Sequence, residues 1–298
     1  MKIKSFFCKE SVAGYVFISL FIVGFFAFTL IPFVNSFYLS FTEYDVLTEP
    51  KWIGLDNFKR MFLEDDLVWT SLLVTFKFAA ILVPIKLACS LLVAMLLNRK
   101  SKAVGIYRTV FYIPSIMGGS VAIALLWKQL FNYRGVINDL LSAFSVSPVK
   151  WFGNTKTALG VLIALGVWQF GSSMLIFLAA LKNIPATYYE AAEIDGASKF
   201  TCFWKITFPM ITPILFFNLI RQLIGAMQAF TSSFLITSGG PLNSTLYYGV
   251  HLYNRAFKYY EMGYGCAMAW FLLVIIAILT ALIFKSSSAW VYYETEVK

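Results

Sequence analysis

Histidine occurs once in this chain, at His251, and cysteine four times, at Cys8, Cys89, Cys202 and Cys266. A lone imidazole has no second ligand beside it, and the cysteines are widely scattered with no CxxC or other ligand spacing, so a metal site and a disulfide are both unexpected. Charge is scarce as well. Asp, Glu, Lys and Arg make up 13% of the 298 residues, against about 25% in soluble domains. Carboxylates are missing altogether from the apolar stretches beyond residue 70, which removes the buried acid that a proton-coupled secondary transporter needs as a relay. The sequence also lacks a nucleophile elbow and any His or carboxylate cluster, so nothing marks a membrane enzyme. It has no G-x-x-x-x-G-K-[ST] loop to cradle a nucleotide. The net charge of +9 does not point to nucleic acid, because the basic residues lie between apolar runs and form no basic-aromatic patch. No internal repeat or low-complexity tract is visible.

What fills the chain instead is apolar: 59% of residues are hydrophobic and 18% aromatic. Apolar runs near 20 residues recur, each long enough to cross a hydrocarbon core of ~30 Å. They predict an all-α protein with six spans at about 12–34, 70–97, 108–131, 157–181, 208–236 and 264–285. The first run follows Lys2, Lys4 and Lys9 as a secretory leader would. It exceeds the apolar core of about 7–15 residues typical of a leader, and no A-x-A cleavage site follows, so it reads as a retained helix. Six spans put both termini on one side, and lysine and arginine enrich short cytoplasmic loops. Starting inside, that side receives Lys2, Lys4, Lys9, Arg99, Lys100, Lys102, Arg108, Lys182, Lys199, Lys205, Lys285 and Lys298. The opposite loops carry fewer cations, diluted by acids such as Asp45, Asp56 and Asp65. Both termini are therefore expected in the cytoplasm. Pro32, Pro84, Pro114, Pro209 and Pro213 fall in or at the ends of spans, where neighbouring helices satisfy the freed backbone groups.

One stretch between spans four and five is neither oily nor plain loop: "PATYYEAAEIDGASKFTCFWKITFP", residues 185–209. Pro185 suits a first helical turn, Thr187 and Glu190 have the spacing of a capping box, and Ala191 and Ala192 favour helix. Gly196 then breaks the helix. A second short helix is expected from about Ser198 to Lys205, before Pro209 opens span five. Such a cytoplasmic pair of helices is either a solvated connector or a docking element.

The spacing Glu190-Ala191-Ala192, three residues, Gly196, nine residues, Ile206-x-Phe208-Pro209 resembles the EAA signature of binding-protein-dependent ATP-binding cassette importers, with phenylalanine where leucine is usual. "WIGLDNFKRMF", "YRTVFYIPSIMGGSVAIALLWKQLF" and "LITSGGPLNSTLYYGVHLYNRAFKYYEMGYGCAMAW" are similar to the sugar-importer branch of the same permeases. The resemblance implies a type I importer transmembrane domain in a bacterial cytoplasmic membrane, without enzymatic activity of its own. It implies a second permease in a heterodimer, two ATPase subunits that hold ATP and magnesium, an extracytoplasmic binding protein, a carbohydrate cargo and no cofactor in this chain. Residues 1–69 would then hold the tail, first span and outer loop, 70–285 the permease core with the coupling loop at 185–209, and 286–298 the C-terminal tail. By the same resemblance Glu190, Ala191, Ala192, Asp195, Gly196, Ile206 and Pro209 couple to the ATPase, with Glu190 meeting a basic residue there. For Glu193 and Asp195 a solvated face is an equal reading. The bend at Gly239, Gly240 and Pro241 would face the binding protein, or serve as a plain turn among interfacial aromatics.

A substrate path is suggested by span five. Asn218, Arg221, Gln222, Gly225, Gln228 and Ser232 fall within an arc of about 120° on a helix, one polar stripe on an oily rod. Trp168, Gln169, Ser172 and Ser173 on span four offer similar chemistry: amides and aromatic faces suit a sugar. Arg221 suits a carboxylate or phosphate, which points to a uronate-containing oligosaccharide or a sugar phosphate; the alternative is pairing with backbone carbonyls or with a carboxylate of the second permease. Lys77, Lys86 and Lys128 are read as snorkelling from span ends.

Overall fold

The computed structural model describes residues 10–99 and 103–292. Lys2, Lys4, Cys8, Lys9, Lys100, Lys102 and Lys298, which entered the counts above, lie outside the described residues. Helix dominates, as it must where no water is present to satisfy backbone N–H and C=O groups. Among the described residues, four helical runs are long and apolar enough to cross a membrane, Phe17–Leu39, Asp66–Leu97, Lys199–Met227 and Met262–Ser287, and two bent pairs bring the count to six when each pair is one span. The chain divides into two compact units, one running to Asp65 and taking in Leu252–Leu273, the other covering Asp66–His251 and continuing from Val274.

In the first unit, α1 (Glu10–Phe25) passes through a π-helical turn, Phe26–Leu30, into α2 (Ile31–Leu39). The span therefore reaches five residues beyond the expected end at residue 34, because Pro32 sits in the opening turn of α2, where its missing N–H is tolerated. A two-stranded antiparallel ribbon follows, β1 (Thr42–Glu43) with β2 (Lys51–Trp52), in the register Thr42 to Trp52 and Glu43 to Lys51. Then comes α3 (Asp56–Leu63). Its buried Asn57 donates Nδ2 to the carbonyls of Ser40 at 3.0 Å and Thr42 at 2.9 Å, so the polar group is satisfied. Charges cluster in this unit: Arg60 pairs with Glu261 at 2.7 Å, Arg255 with Asp65 at 2.9 Å and with Glu261 at 3.3 Å, and the Tyr264 hydroxyl donates to Asp65 at 3.0 Å. The Trp270 ring packs 4.6 Å from Phe33 and 4.7 Å from Phe37 while its N–H donates to Ser36 Oγ.

The second unit is built on α4 (Asp66–Leu97), which packs against α8 (Thr155–Trp168), α9 (Gly171–Asn183) and α12 (Phe208–Met227). Expected span three is not one rod: α5 (Val104–Met117) and α6 (Val121–Leu130) meet at 102°. Expected span four is α8 followed by α9, bent by 43°. An outer helix, α7 (Val136–Ala143), lies between α6 and α8 in the chain. The stretch expected to couple, residues 185–209, begins with α10 (Ala186–Ile194) and α11 (Lys199–Cys202).

Three local expectations fail here. The capping box at Thr187 is absent: Pro185, with an extended ψ of 134°, is the N-cap, so Thr187 already lies inside α10. The second short helix is not separate, since α11, a π-helical turn at Phe203–Thr207 and α12 form one run from Lys199 to Met227. The widened turn takes up the Pro209 ring without a break. Span five also ends early, at Met227 rather than residue 236, because Gln228 leaves helical geometry and helix resumes only at Thr231, leading into a π-helical turn at Ser233–Thr237. Then follow α13 (Tyr248–Tyr253) and α14 (Met262–Ser287).

Candidate functional sites: an exposed elbow and a membrane cavity

The elbow is closed by its own backbone. Gly196 has φ +74°, its N–H donates to Glu193 O at 3.1 Å, and Ala197 N–H donates to Ala192 O at 2.9 Å. This is the paired 5→2 and 6→1 closure that ends a helix on a left-handed residue, and glycine is the residue that takes that conformation without strain. Ser198 then caps α11, its Oγ accepting from Thr201 N–H at 3.2 Å. A bond of 2.8 Å between Tyr189 Oη and Thr207 Oγ1 ties α10 to the π-helical turn. Glu190, Ala191, Glu193, Asp195 and Gly196 stand exposed, Ala192 is half-buried, and Ile206 and Pro209 are half-buried further along the run. Sequence reasoning passed over two neighbours: Ile194 is 87% exposed and Phe200 74% exposed. Together they give the acidic surface an apolar component. Beside it, a cavity of about 560 Å³ is lined by Met95, Tyr189, Glu193, Cys202 and Phe203.

The second site is a cavity of about 350 Å³ inside the second unit. Its walls are α4, the two helix breaks, and the end of α12 with the residues after it. Gln169, Gln222, Gln228 and Ser232 line it as the polar stripe predicted, although Ser232 does so from beyond the end of the helix. Asn218 does not: it is fully buried, its Nδ2 donating to Ile214 O at 3.0 Å. Arg221 is exposed and outside the lining, and Trp168 instead packs its ring 5.5 Å from Trp127. The stripe is divided because an arc of that width spans several directions once neighbouring helices pack on it: Gln222, Gly225 and Gln228 face the void, whereas Asn218 and Arg221 do not.

Two interrupted spans meet at this cavity, and side chains satisfy several of the backbone groups freed by the breaks. Gln169 Nε2 donates to Gly118 O at 3.0 Å, Ser115 Oγ donates to Gln169 O at 3.0 Å and accepts from Ser172 N–H at 3.1 Å, and Ser90 Oγ reaches Phe170 O at 3.1 Å. Ser120 caps α6 by accepting from Ile123 N–H at 3.3 Å. Non-helical backbone at membrane depth is tolerated where it lines a cavity and is re-satisfied in this way. Gln222 Nε2 donates to Ser173 Oγ at 2.8 Å, leaving its amide oxygen for other partners. Lys86 is a correction. It lines this cavity from within α4, about 16 Å of helix from the end at Leu97, too deep for the snorkelling expected of it.

The loop after span five holds a third set of expected residues. Gly239 is buried with φ +86°, and a Cβ there would lie 2.9 Å from Leu246 Cδ1. Thr245 pins the bend, its Oγ1 donating to Gly240 O at 2.7 Å. Pro241 is half-buried, and the exposed tip is Leu242, at 90%, with Asn243. The glycine-proline bend thus presents its neighbours rather than itself.

Comparison with known proteins adds the family. The model of binding-protein-dependent transport system inner membrane components matches residues 86–292. The chain belongs to this family. The permease is 53% identical over 291 residues to the probable ABC transporter permease protein YesP of Bacillus subtilis (strain 168), covering 97% of this chain and 94% of the relative. It is 32% identical to the lactose transport system permease protein LacF of Rhizobium radiobacter over 284 residues, 93% of this chain and 94% of LacF. It is also 32% identical to the trehalose/maltose transport system permease protein MalF of Thermococcus litoralis over 276 residues, 91% and 92% of the two chains. Among solved structures, a bacterial ABC transporter involved in the import of the acidic polysaccharide alginate superposes with a TM-score of 0.82 at 20% identity, over 97% of this chain and 99% of that one. The same type of transporter in complex with an alginate pentasaccharide-bound periplasmic protein gives 0.80 at 20% identity, over 92% and 93%. At that identity the likeness is one of fold, the type I importer permease.

Proposed function

We infer that this permease is one half of the membrane path of an ATP-driven carbohydrate importer, that α10 and its Gly196 turn dock on a separate ATPase subunit, and that ATP and magnesium are bound there. The observation that carries the reading is the exposed elbow: a rigidly closed acidic and apolar turn whose residues follow the EAA spacing and whose helical run leads directly to the polar cavity. The remaining partners are a second, different permease that completes the path and an extracytoplasmic binding protein that meets the loop around Gly239, Gly240 and Pro241. Relatives named for lactose, trehalose and maltose, and the fold shared with an alginate importer, support a saccharide as cargo. Gln169, Gln222 and Gln228 supply the amides that sugar hydroxyls bond to. Both termini and the elbow lie on the cytoplasmic side. The test is purification of the tagged permease in mild detergent: an ATPase subunit and a second permease come with it, and ATP hydrolysis rises on adding the binding protein with its sugar. A permease that transports sugar after purification away from any ATPase ends this reading.

A further inference from the structure

Lys86 is the one ionisable side chain among the lining residues of the membrane cavity. No described residue forms an ion pair with it, and a second cation, Arg221, stands one position before the cavity-lining Gln222 on α12, which packs against α4. Acids are also sparse in the stretches that build the cavity. Between Asp66 and Glu190 the one acid is Asp139, exposed on the outer helix α7, and none occurs from Gly196 to Tyr260. A lysine at membrane depth costs about 2.5–3.5 kcal/mol on insertion scales and ordinarily marks a substrate or ion pathway. A second cation on the helix packed against it raises that cost. An arrangement of two cations, several amides and no carboxylate is suited to a ligand that brings hydroxyls and a negative charge together.

Resting on the importer reading, we propose that Lys86, with Arg221 on the neighbouring helix, recognises a negative charge on the cargo, so that the saccharide passing this cavity is anionic, bearing a carboxylate or a phosphate. The ammonium group meets the charge as a compact point donor, while the glutamine amides take the neutral hydroxyls. Arg221 acts as a positioning residue that strengthens the local positive field.

The test uses proteoliposomes holding the whole importer, with its binding protein outside and ATP on the ATPase side. Uptake is measured for three probes: α-1,4-digalacturonate, its neutral counterpart α-1,4-galactobiose, and galactose 6-phosphate. Each rate is expressed as variant over wild type, so that the preference of the binding protein cancels. Lys86→Gln is expected to lower uptake of the anionic probe by about tenfold or more, the size of a lost charge-assisted hydrogen bond, and to leave the neutral probe within about twofold. Lys86→Arg retains most of the anionic uptake, and Arg221→Gln gives a smaller loss with the same selectivity. The probe that responds, uronate or phosphate ester, names the anion. Equal losses for charged and neutral probes, as expected if an acid of the second permease is the true partner of Lys86, overturn the proposal. So does an unchanged ratio. Binding-protein-stimulated ATP hydrolysis in the same vesicles separates the two readings: hydrolysis with an unchanged ratio removes only the anion site, whereas no stimulated hydrolysis in the wild type removes the importer reading and this one with it.

Discussion

Single residues carry the elbow. A side chain at Gly196 must adopt φ +74°, and the left-handed region costs an ordinary residue about 1–2 kcal/mol, with a β-branched residue worst placed. Gly196→Val is therefore expected to leave the permease inserted but to cut sugar-stimulated ATP hydrolysis by about tenfold, the equivalent of 1.4 kcal/mol at the contact; stimulation equal to wild type would count against the turn as a coupling device. Glu190 is exposed and free to meet a partner, so Glu190→Lys replaces attraction by repulsion there. Uptake should fall to background while the amount of membrane-inserted protein stays constant on immunoblots. What could be read from residues alone was this motif, because its spacing is local. What could not was Lys86. A lysine about three turns inside a span gives the same one-dimensional signal whether it faces lipid, protein or a cavity, and the packing of α4 against the two breaks decides which.

Helices are the scale at which the sequence misled most. Six apolar runs were legible because hydropathy reports length and composition, yet the sharp bend of span three lay inside one such run. The signal was present as "SIMGGS", two glycines followed by a capping serine, but glycine is common in membrane helices and does not by itself end one. The breaks hold because Ser115 serves two backbone groups at once. Ser115→Ala leaves the Gln169 carbonyl and the Ser172 N–H without that partner, and each unsatisfied buried group costs about 1–3 kcal/mol. Thermal unfolding in detergent should show a clear drop in Tm for Ser115→Ala and a smaller one for Ser120→Ala, whose lost bond is longer at 3.3 Å. Gly171 is a second weak point: a Cβ there would strike the Phe111 carbonyl and sit 2.8 Å from Tyr112 Cα. Gly171→Ala is expected to destabilise by about 1–3 kcal/mol through overpacking, measured as lower yield and lower Tm of purified protein.

At the scale of the whole molecule the prediction concerns sidedness. In a background with Cys8, Cys89, Cys202 and Cys266 replaced, Ile194→Cys should react with a membrane-impermeant maleimide only in inside-out vesicles, and Asn243→Cys only in right-side-out cells. Labelling of Ile194→Cys from outside would invert the topology and remove the elbow from any cytoplasmic partner. The continuous run from Lys199 to Met227 then has a mechanical consequence. About 34 Å of unbroken rod separates Lys199 from Gln222, with a latch to α10 at the near end and the cavity wall at the far end. Tilting such a lever by roughly 10° sweeps its far end through about 6 Å, so a modest nudge delivered at the α10 end is enough to reshape the chamber without any joint in between.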